Sequence, residues 1–424
     1  MKRSLVNEVS KTKGNVKIRG WVHELRDLAK IKFFLLRDPS GIIQCIVKDN
    51  KLFKGFTELT LESVIEVEGK VNKTKIKSDL AVKDAEVEIS SLKLLNKAES
   101  LPILVNEKTI TTGLSKRLDN RSLDVRKPKI HAIFKIQSTI TNAFREFFFN
   151  NNFLEIHPPG IIATSTEGGT ELFKLEYFGK PAFLAQSPQL YKQLIAISLE
   201  KVFSTSTVWR AEKHNTVRHL NEIRQLDIEV AFADEFTVMK YLEQVLQYIV
   251  KKVMKENQEE IGLLDIKLAV PKAKYMSYKE AIEVLQKHKY KIKYGDDFEP
   301  EDERKLCNIY RNTIIFTHDW PQALKPFYIW PKNGTSGGFD AVYGGMEIAS
   351  GGQRVHVPEI LIKQLKVKGL KPENFKWYID AFRYGAPKHA GWSIGLERLT
   401  MIICNLENIR EACIFPRDRE RITP

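Results

Sequence analysis

Val208-Trp209-Arg210-Ala211-Glu212-Lys213-His214-Asn215-Thr216-Val217-Arg218-His219-Leu220-Asn221-Glu222 places arginines, carboxylates and histidines between two runs that read as strands, Val202 to Val208 and Leu226 to Phe232. So much charge suits a core poorly and a polyanion well, because a guanidinium takes two phosphate or carboxylate oxygens in one plane. A second cluster, Gly391-Trp392-Ser393-Ile394-Gly395-Leu396-Glu397-Arg398-Leu399, lies near the C-terminus, where glycines precede an arginine that opens an apolar helical run.

Working outward, 424 residues with 43% hydrophobic content can bury a large core and suggest two or three domains. The formal charge of +14 favours a polyanionic partner. Cys45, Cys307, Cys404 and Cys413 have no zinc-type spacing, so a reducing cytoplasm is the simplest setting. Residues 1–14 mix Lys2, Arg3, Lys11 and Lys13 with polar residues and contain no apolar leader-like run. No apolar run approaches membrane-spanning length, and the reading is a cytoplasmic protein without a membrane partner.

Five short strands are read in the first hundred residues: Val16 to Leu25, Phe33 to Arg37, Ile42 to Val47, Val64 to Val71 and Val87 to Leu92. They suggest a small barrel of the OB type, which binds single-stranded nucleic acid through a basic groove and stacking aromatics. Phe33 is the candidate stacking residue and Gln44 the candidate reader of a base edge; alternation along the strand leaves open which of Phe33 and Phe34 fills the barrel. A polar connector over 101–130 precedes a helix whose Ile133, Ile136, Ile140, Phe144 and Phe147 recur at helical spacing until Asn150-Asn151-Asn152. Phe153 to Pro159 then reads as an extended strand.

The two charged clusters resemble motifs 2 and 3 of class II aminoacyl-tRNA synthetases, and the helix with Phe153 to Pro159 looks like motif 1. Nearly the whole chain is similar to the aspartyl enzymes of archaeal type, in subclass b, including the ending Phe415-Pro416-Arg417-Asp418-Arg419-Glu420-Arg421-Ile422-Thr423-Pro424. The resemblance implies an α+β chain: an anticodon-binding OB-fold over 1–100, a hinge over 101–130, and a catalytic domain over 131–424 built on an antiparallel sheet flanked by helices. It also implies a homodimer formed through motif 1. The weakest match, about 248–326, looks like an insertion and contains a helix at Tyr278 to His288.

Activating a carboxylate with ATP brings anions together, so such a site must offset phosphate charge and hold an in-line geometry. By resemblance, Arg210 grips the α-phosphate and the substrate carboxylate, and Arg398 takes the γ-phosphate and adenine. Glu212, read two residues along the same strand as Arg210, accepts from the adenine amino group. Arg218, His219 and Leu220 belong to the loop over the nucleotide, and Gly395, Leu396 and Glu397 complete the ATP set. Ile223 stands where many relatives carry a stacking phenylalanine.

Magnesium is the expected metal, bridging phosphates through one or two carboxylates. Glu347 and Ser350 match the family positions, with Asp340 a weaker companion; by themselves the two acids could simply flank a turn. For aspartate the resemblance implies Gln189 and Lys192 in Gln186-Ser187-Pro188-Gln189-Leu190-Tyr191-Lys192, then Arg210, Ser350 and Arg354. Two cations facing one side chain would favour aspartate over asparagine. Glu167, in a glycine-rich stretch similar to the loop that closes on the amino acid, would hold the ammonium group.

Expected activity is therefore the ligation of aspartate to tRNA-Asp. His23, where relatives vary between histidine and tryptophan, points to charging of tRNA-Asn as well. The near rival is an asparaginyl-type enzyme or an asparagine-forming paralogue, and the distant one a nucleic-acid-binding regulator. Lys192 and Arg354 count against the first, and the retained ATP residues against the second.

Overall fold

The computed structural model describes residues 1–28, 31–78, 80–107, 109–163 and 172–424, with the side chains of 28 and 31 left aside. They form two compact units, Met1–Lys127 and Pro128–Pro424.

In the first unit β1 (Asn15–Leu28), β2 (Ile31–Asp38), β3 (Gly41–Val47), β4 (Val64–Lys73) and β5 (Ala85–Asn96) close into a barrel in the order β1-β2-β3-β5-β4. Alternating Val and Ile drive this, since every second side chain points inward, and Val16, Ile18, Leu36, Val47 and Val67 pack together there. Phe34 joins that core and Phe33 is half-buried on the opposite face, which settles the alternation. The stretch expected as a hinge does not stand apart through Lys127. Arg126 donates to Glu62 at 2.9 Å and Lys127 to Glu107 at 2.6 Å, so its end is tied into the first unit.

In the second unit the strands are β6 (Leu154–Glu155), β7 (Ile161–Ile162), β8 (Lys174–Tyr177), β9 (Lys180–Leu184), β10 (Lys201–Trp209), β11 (Glu222–Ala231), β12 (Lys272–Ser277), β13 (Thr313–His318), β14 (Gly338–Tyr343), β15 (Met346–Gln353) and β16 (His389–Gly395). Eight of them make one sheet in the order β12-β13-β14-β15-β16-β11-β10-β6, and β7-β9-β8 form a small separate one. From β13 to β10 the large sheet is antiparallel as expected, whereas the edge strands β12 and β6 join in parallel.

That sheet has one apolar and one polar face because β11 and β16 alternate strictly: Leu226, Ile228 and Val230 against Gln225, Asp227 and Glu229, and Trp392 and Ile394 against Ser393 and Gly395. On the apolar side Trp392 packs near Phe144 and Phe148 and donates to Val238 O at 2.8 Å, beneath the helices Pro128–Asn150 and Glu235–Glu256. Phe148, rather than the expected Phe147, completes the buried stripe, since it lies one turn beyond Phe144; Phe147 is only half-buried, beside Tyr248.

The stretch expected as an insertion at about 248–326 is integral to this unit. It begins inside the helix Glu235–Glu256, supplies β12 and β13, and buries Met276, Ile282, Leu285 and Trp320 in its own cluster. The helix Tyr278–Lys287 is where periodicity places it, closed at its start by a Ser277–Glu280 capping box.

Candidate active site

Register creates the site. Asp340 on β14 faces Ser350 on β15, Ser350 faces Ser393 on β16, and Ser393 faces Asp227 on β11, so one polar row crosses four strands on the face away from Trp392. Strict alternation would put Glu347 and Ser350 on opposite faces. A bulge where Val342 pairs with Glu347 after Ala341 has paired with Ala349 returns Glu347 to the polar face. Nearby, Gly391 lies opposite Glu229, and a Cβ there would run into Ile228 O and the Glu229 carboxylate. Only glycine leaves that carboxylate its place.

Above the row lies a cavity of about 270 Å³. Of the expected residues, Gln189, Arg210, Glu212, Arg218, His219, Leu220, Asp340, Glu347, Ser350, Arg354, Gly395, Glu397 and Arg398 all line it. Ile223 lines it too. Leu396 and Lys192 are buried outside the lining, and Glu167 lies outside the described residues.

Arg210 and Glu212 are not on a strand, because β10 ends at Trp209. Asn221 shapes the segment instead, donating from Nδ2 to Arg210 O at 2.7 Å and to Glu212 O at 3.1 Å. The Arg210 side chain is 38% exposed, and its ion pair, to Glu212, is long at 3.9 Å. His219 Nε2 is 3.9 Å from the other Glu212 oxygen, and burial lowers the imidazole pKa. Arg218 reaches across to Gly345 O at 3.0 Å and Glu303 at 3.3 Å. Arg398, in the helix Leu396–Ile403, donates to Glu347 O at 3.0 Å. Glu397 lines the cavity but accepts the Arg224 N–H at 3.1 and 3.2 Å, and burial pushes its carboxyl up to about 7.

Burial raises the Glu347 carboxyl pKa against the pull of Arg398. Among the described residues that carboxylate makes no hydrogen bond or ion pair, which suits it to a hard cation. Asp340 is engaged by Lys325 at 2.5 Å, and burial still pushes its carboxyl up to about 6. No group of three or more acidic, histidine or cysteine side chains converges into a closed metal cage among the described residues. The donor set fits a cation held largely by phosphates, not one caged by protein.

The two expected aspartate-binding cations are already compensated. Lys192 Nζ sits 2.8 Å from Asp227 Oδ1, with Trp392 O at 3.1 Å, and Arg354 makes a two-pronged pair with Glu229 at 2.9 and 3.2 Å. All four side chains are buried. Two positive charges do not therefore face the cavity. Arg354 spends Nε and Nη2 on Glu229 and keeps Nη1 for another acceptor, whereas Lys192 is paired with Asp227 behind the lining. Asp227, Gln225, Ser393, Lys325 and Glu303 were missed from sequence; for the first two, a polar residue at every second place of an otherwise apolar strand was the available signal.

In the first unit a separate groove brings Phe33 and Gln44 together with Arg26, Lys75 and Lys77. Gln44 Nε2 donates to Glu86 at 2.8 Å. His23 is not there. It is 1% exposed at a β1 bulge, with Nδ1 2.9 Å from Arg37 Nη1, and burial beside that guanidinium lowers its pKa to about 4. His23 therefore does not join Phe33 and Gln44 in the groove.

The family described as tRNA synthetases class II (D, K and N) matches residues 113–419. This chain is a class II tRNA synthetase. Residues 16–95 match the OB-fold nucleic acid binding domain. The synthetase is 44% identical to the aspartate–tRNA(Asp) ligase of Pyrococcus furiosus and 43% identical to the aspartate–tRNA(Asp/Asn) ligase of Methanopyrus kandleri, covering 96% of each chain in both comparisons. Among solved structures, asparaginyl-tRNA synthetase from Pyrococcus horikoshii with asparaginyl-adenylate superposes with a TM-score of 0.92 at 32% identity, covering 100% of both chains. Aspartyl tRNA synthetase from Entamoeba histolytica gives 0.90 at 32% identity, covering 100% of this chain and 93% of that one.

Proposed function

We propose that this synthetase is an aspartate–tRNA ligase: an oxygen of the aspartate α-carboxylate attacks the α-phosphorus of ATP, the bond to pyrophosphate breaks, and a ribose hydroxyl of the 3′-terminal adenosine of tRNA-Asp then takes the aspartyl group as AMP leaves. The observation that carries it is the convergence of Arg210, Arg398, Glu347 and Arg354 on one polar cavity. In this reading Arg210 bridges the two anions and Arg398 holds the distal phosphates, so catalysis rests on positioning and charge offset with no side-chain nucleophile. Glu347 and Ser350, with Asp340 further back, would hold magnesium, which when bound supplies further charge offset on the phosphates. Glu212, on the same cavity lining, accepts from the adenine amino group in this reading. Phe33 and Gln44 are assigned to the anticodon, with tRNA-Asn a second substrate to be tested.

Aspartate is favoured because Arg354 Nη1 remains for the side-chain carboxylate, and because the aspartate ligases named above are more similar in sequence than the asparaginyl structure. The asparaginyl reading keeps one point in its favour, since Glu229 and Asp227 already neutralise Arg354 and Lys192 and an amide would not face two bare cations. Aspartate-dependent ATP–pyrophosphate exchange is expected to exceed the asparagine-dependent rate at least about a hundredfold. Equal rates, or asparagine ahead, would move the chain to the rival class.

We assign it to homodimers, on the exposed Phe149, Leu154 and Ile161 around the end of the motif 1 helix. We place it in the cytoplasm, where its four thiols stay reduced; no helix among the described residues is long and apolar enough to cross a membrane.

A further inference from the structure

Behind the cavity wall runs a buried polar chain that touches neither the phosphate residues nor the Arg354 pair through a side chain. Gln189, on the wall, donates from Nε2 to Gln193 Oε1 at 2.7 Å. Tyr378 Oη donates to the same oxygen at 3.0 Å. Gln193 Nε2 lies 3.0 Å from His389 Nε2, and His389 Nδ1 lies 2.9 Å from Pro387 O. Gln193, Tyr378 and His389 are 0% exposed, so none can trade its partner for water.

Polarity propagates along this chain in one direction. A carbonyl oxygen only accepts, so His389 must carry its proton on Nδ1. Burial lowers the His389 pKa to about 4, which leaves the ring neutral and Nε2 a bare acceptor. Gln193 must therefore turn its NH2 to His389 and its oxygen to Gln189 and Tyr378. With its NH2 turned toward Gln193, Gln189 keeps Oε1 on the other side of the amide as an acceptor, and that oxygen makes no hydrogen bond among the described residues. An amino acid at neutral pH carries an ammonium group that is all donor, and an acceptor oxygen on the cavity that Asp227 also lines is what it requires.

We propose that Pro387 O, His389, Gln193 and Tyr378 are a hydrogen-bond relay that locks the Gln189 amide with its oxygen toward the cavity, making His389 and Gln193 positioning residues for the ammonium group of the substrate. This rests on the reading of the cavity as an amino-acid site. Without the His389 acceptor the Gln193 amide is free to invert, Gln189 inverts with it, and an NH2 then opposes the ammonium group.

The test uses the full-length enzyme and His389→Phe, which keeps a ring against Phe382, 5.6 Å away and nearly parallel. The KM for L-aspartate in pyrophosphate exchange should rise about tenfold or more, while the KM for ATP and the inhibition constant of succinate, which lacks the amino group, stay within about twofold. Adding Gln189→Glu, whose two oxygens both accept, should restore the aspartate KM without any relay. Should His389→Phe fail to fold, Gln193→Met carries the same expectations. An unchanged aspartate KM, or equal weakening of aspartate and succinate with no rescue, overturns the relay. Absence of aspartate-dependent exchange in the unmodified enzyme would instead overturn the amino-acid-site reading beneath it.

Discussion

Replacing Arg210 by alanine is expected to lower aspartate-dependent ATP–pyrophosphate exchange by about 10²–10³-fold or more, the scale on which one preorganised charge at a developing anion acts. Its side chain is 38% exposed, and its ion pair is a 3.9 Å approach to Glu212. The fold asks little of it, since Asn221 holds the segment through backbone carbonyls that alanine retains. Thermal unfolding should therefore move by less than about 0.5 kcal/mol, as for a surface substitution, and binding of tRNA should persist. Catalysis lost with stability kept would separate a role in transition-state charge from one in architecture. Unchanged exchange would remove Arg210 from the mechanism.

Arg354→Met should behave in the opposite way and damage both. Glu229 is fully buried and takes two hydrogen bonds from Arg354, with Lys192 next at 3.6 Å. Removing the arginine strands a carboxylate in the interior, at a cost of about 3–5 kcal/mol. Denaturant or thermal unfolding should register that loss directly. The paired change Arg354→Met with Glu229→Gln should recover most of the stability, because no unpaired charge remains, yet aspartate-dependent exchange should stay low because Nη1 is gone. If the double variant regained aspartate affinity along with stability, Arg354 would be a structural cation only.

Much of this was legible in the chain because the signals are local. The barrel strands announce themselves by alternation, and the Arg210 and Arg398 segments by charge packed beside glycine or strand residues. What stayed hidden depends on contacts distant in sequence. Nothing near Lys192 or Arg354 says that Asp227 and Glu229 already neutralise them, and the Arg354 pair spans 125 residues. The bulge that brings Glu347 round to Ser350 is a register event between two strands, invisible to a strict period of two. His23 illustrates the same limit: a bulge buries a residue that alternation would have left free to face outward. Glu303 and Lys325 come from the stretch with the weakest resemblance, yet they reach the cavity side because β13 and the helix Pro300–Ile309 pack beside β14 and β15.

The most direct test of aspartate–tRNA ligation is attachment of labelled aspartate to purified tRNA-Asp and tRNA-Asn transcripts, assayed in parallel with ATP and magnesium. Acceptance of aspartate by tRNA-Asp is the predicted result, and charging of tRNA-Asn alongside it would mark an enzyme of relaxed anticodon choice. Aspartate on neither tRNA, with both transcripts shown to be intact, would contradict the account.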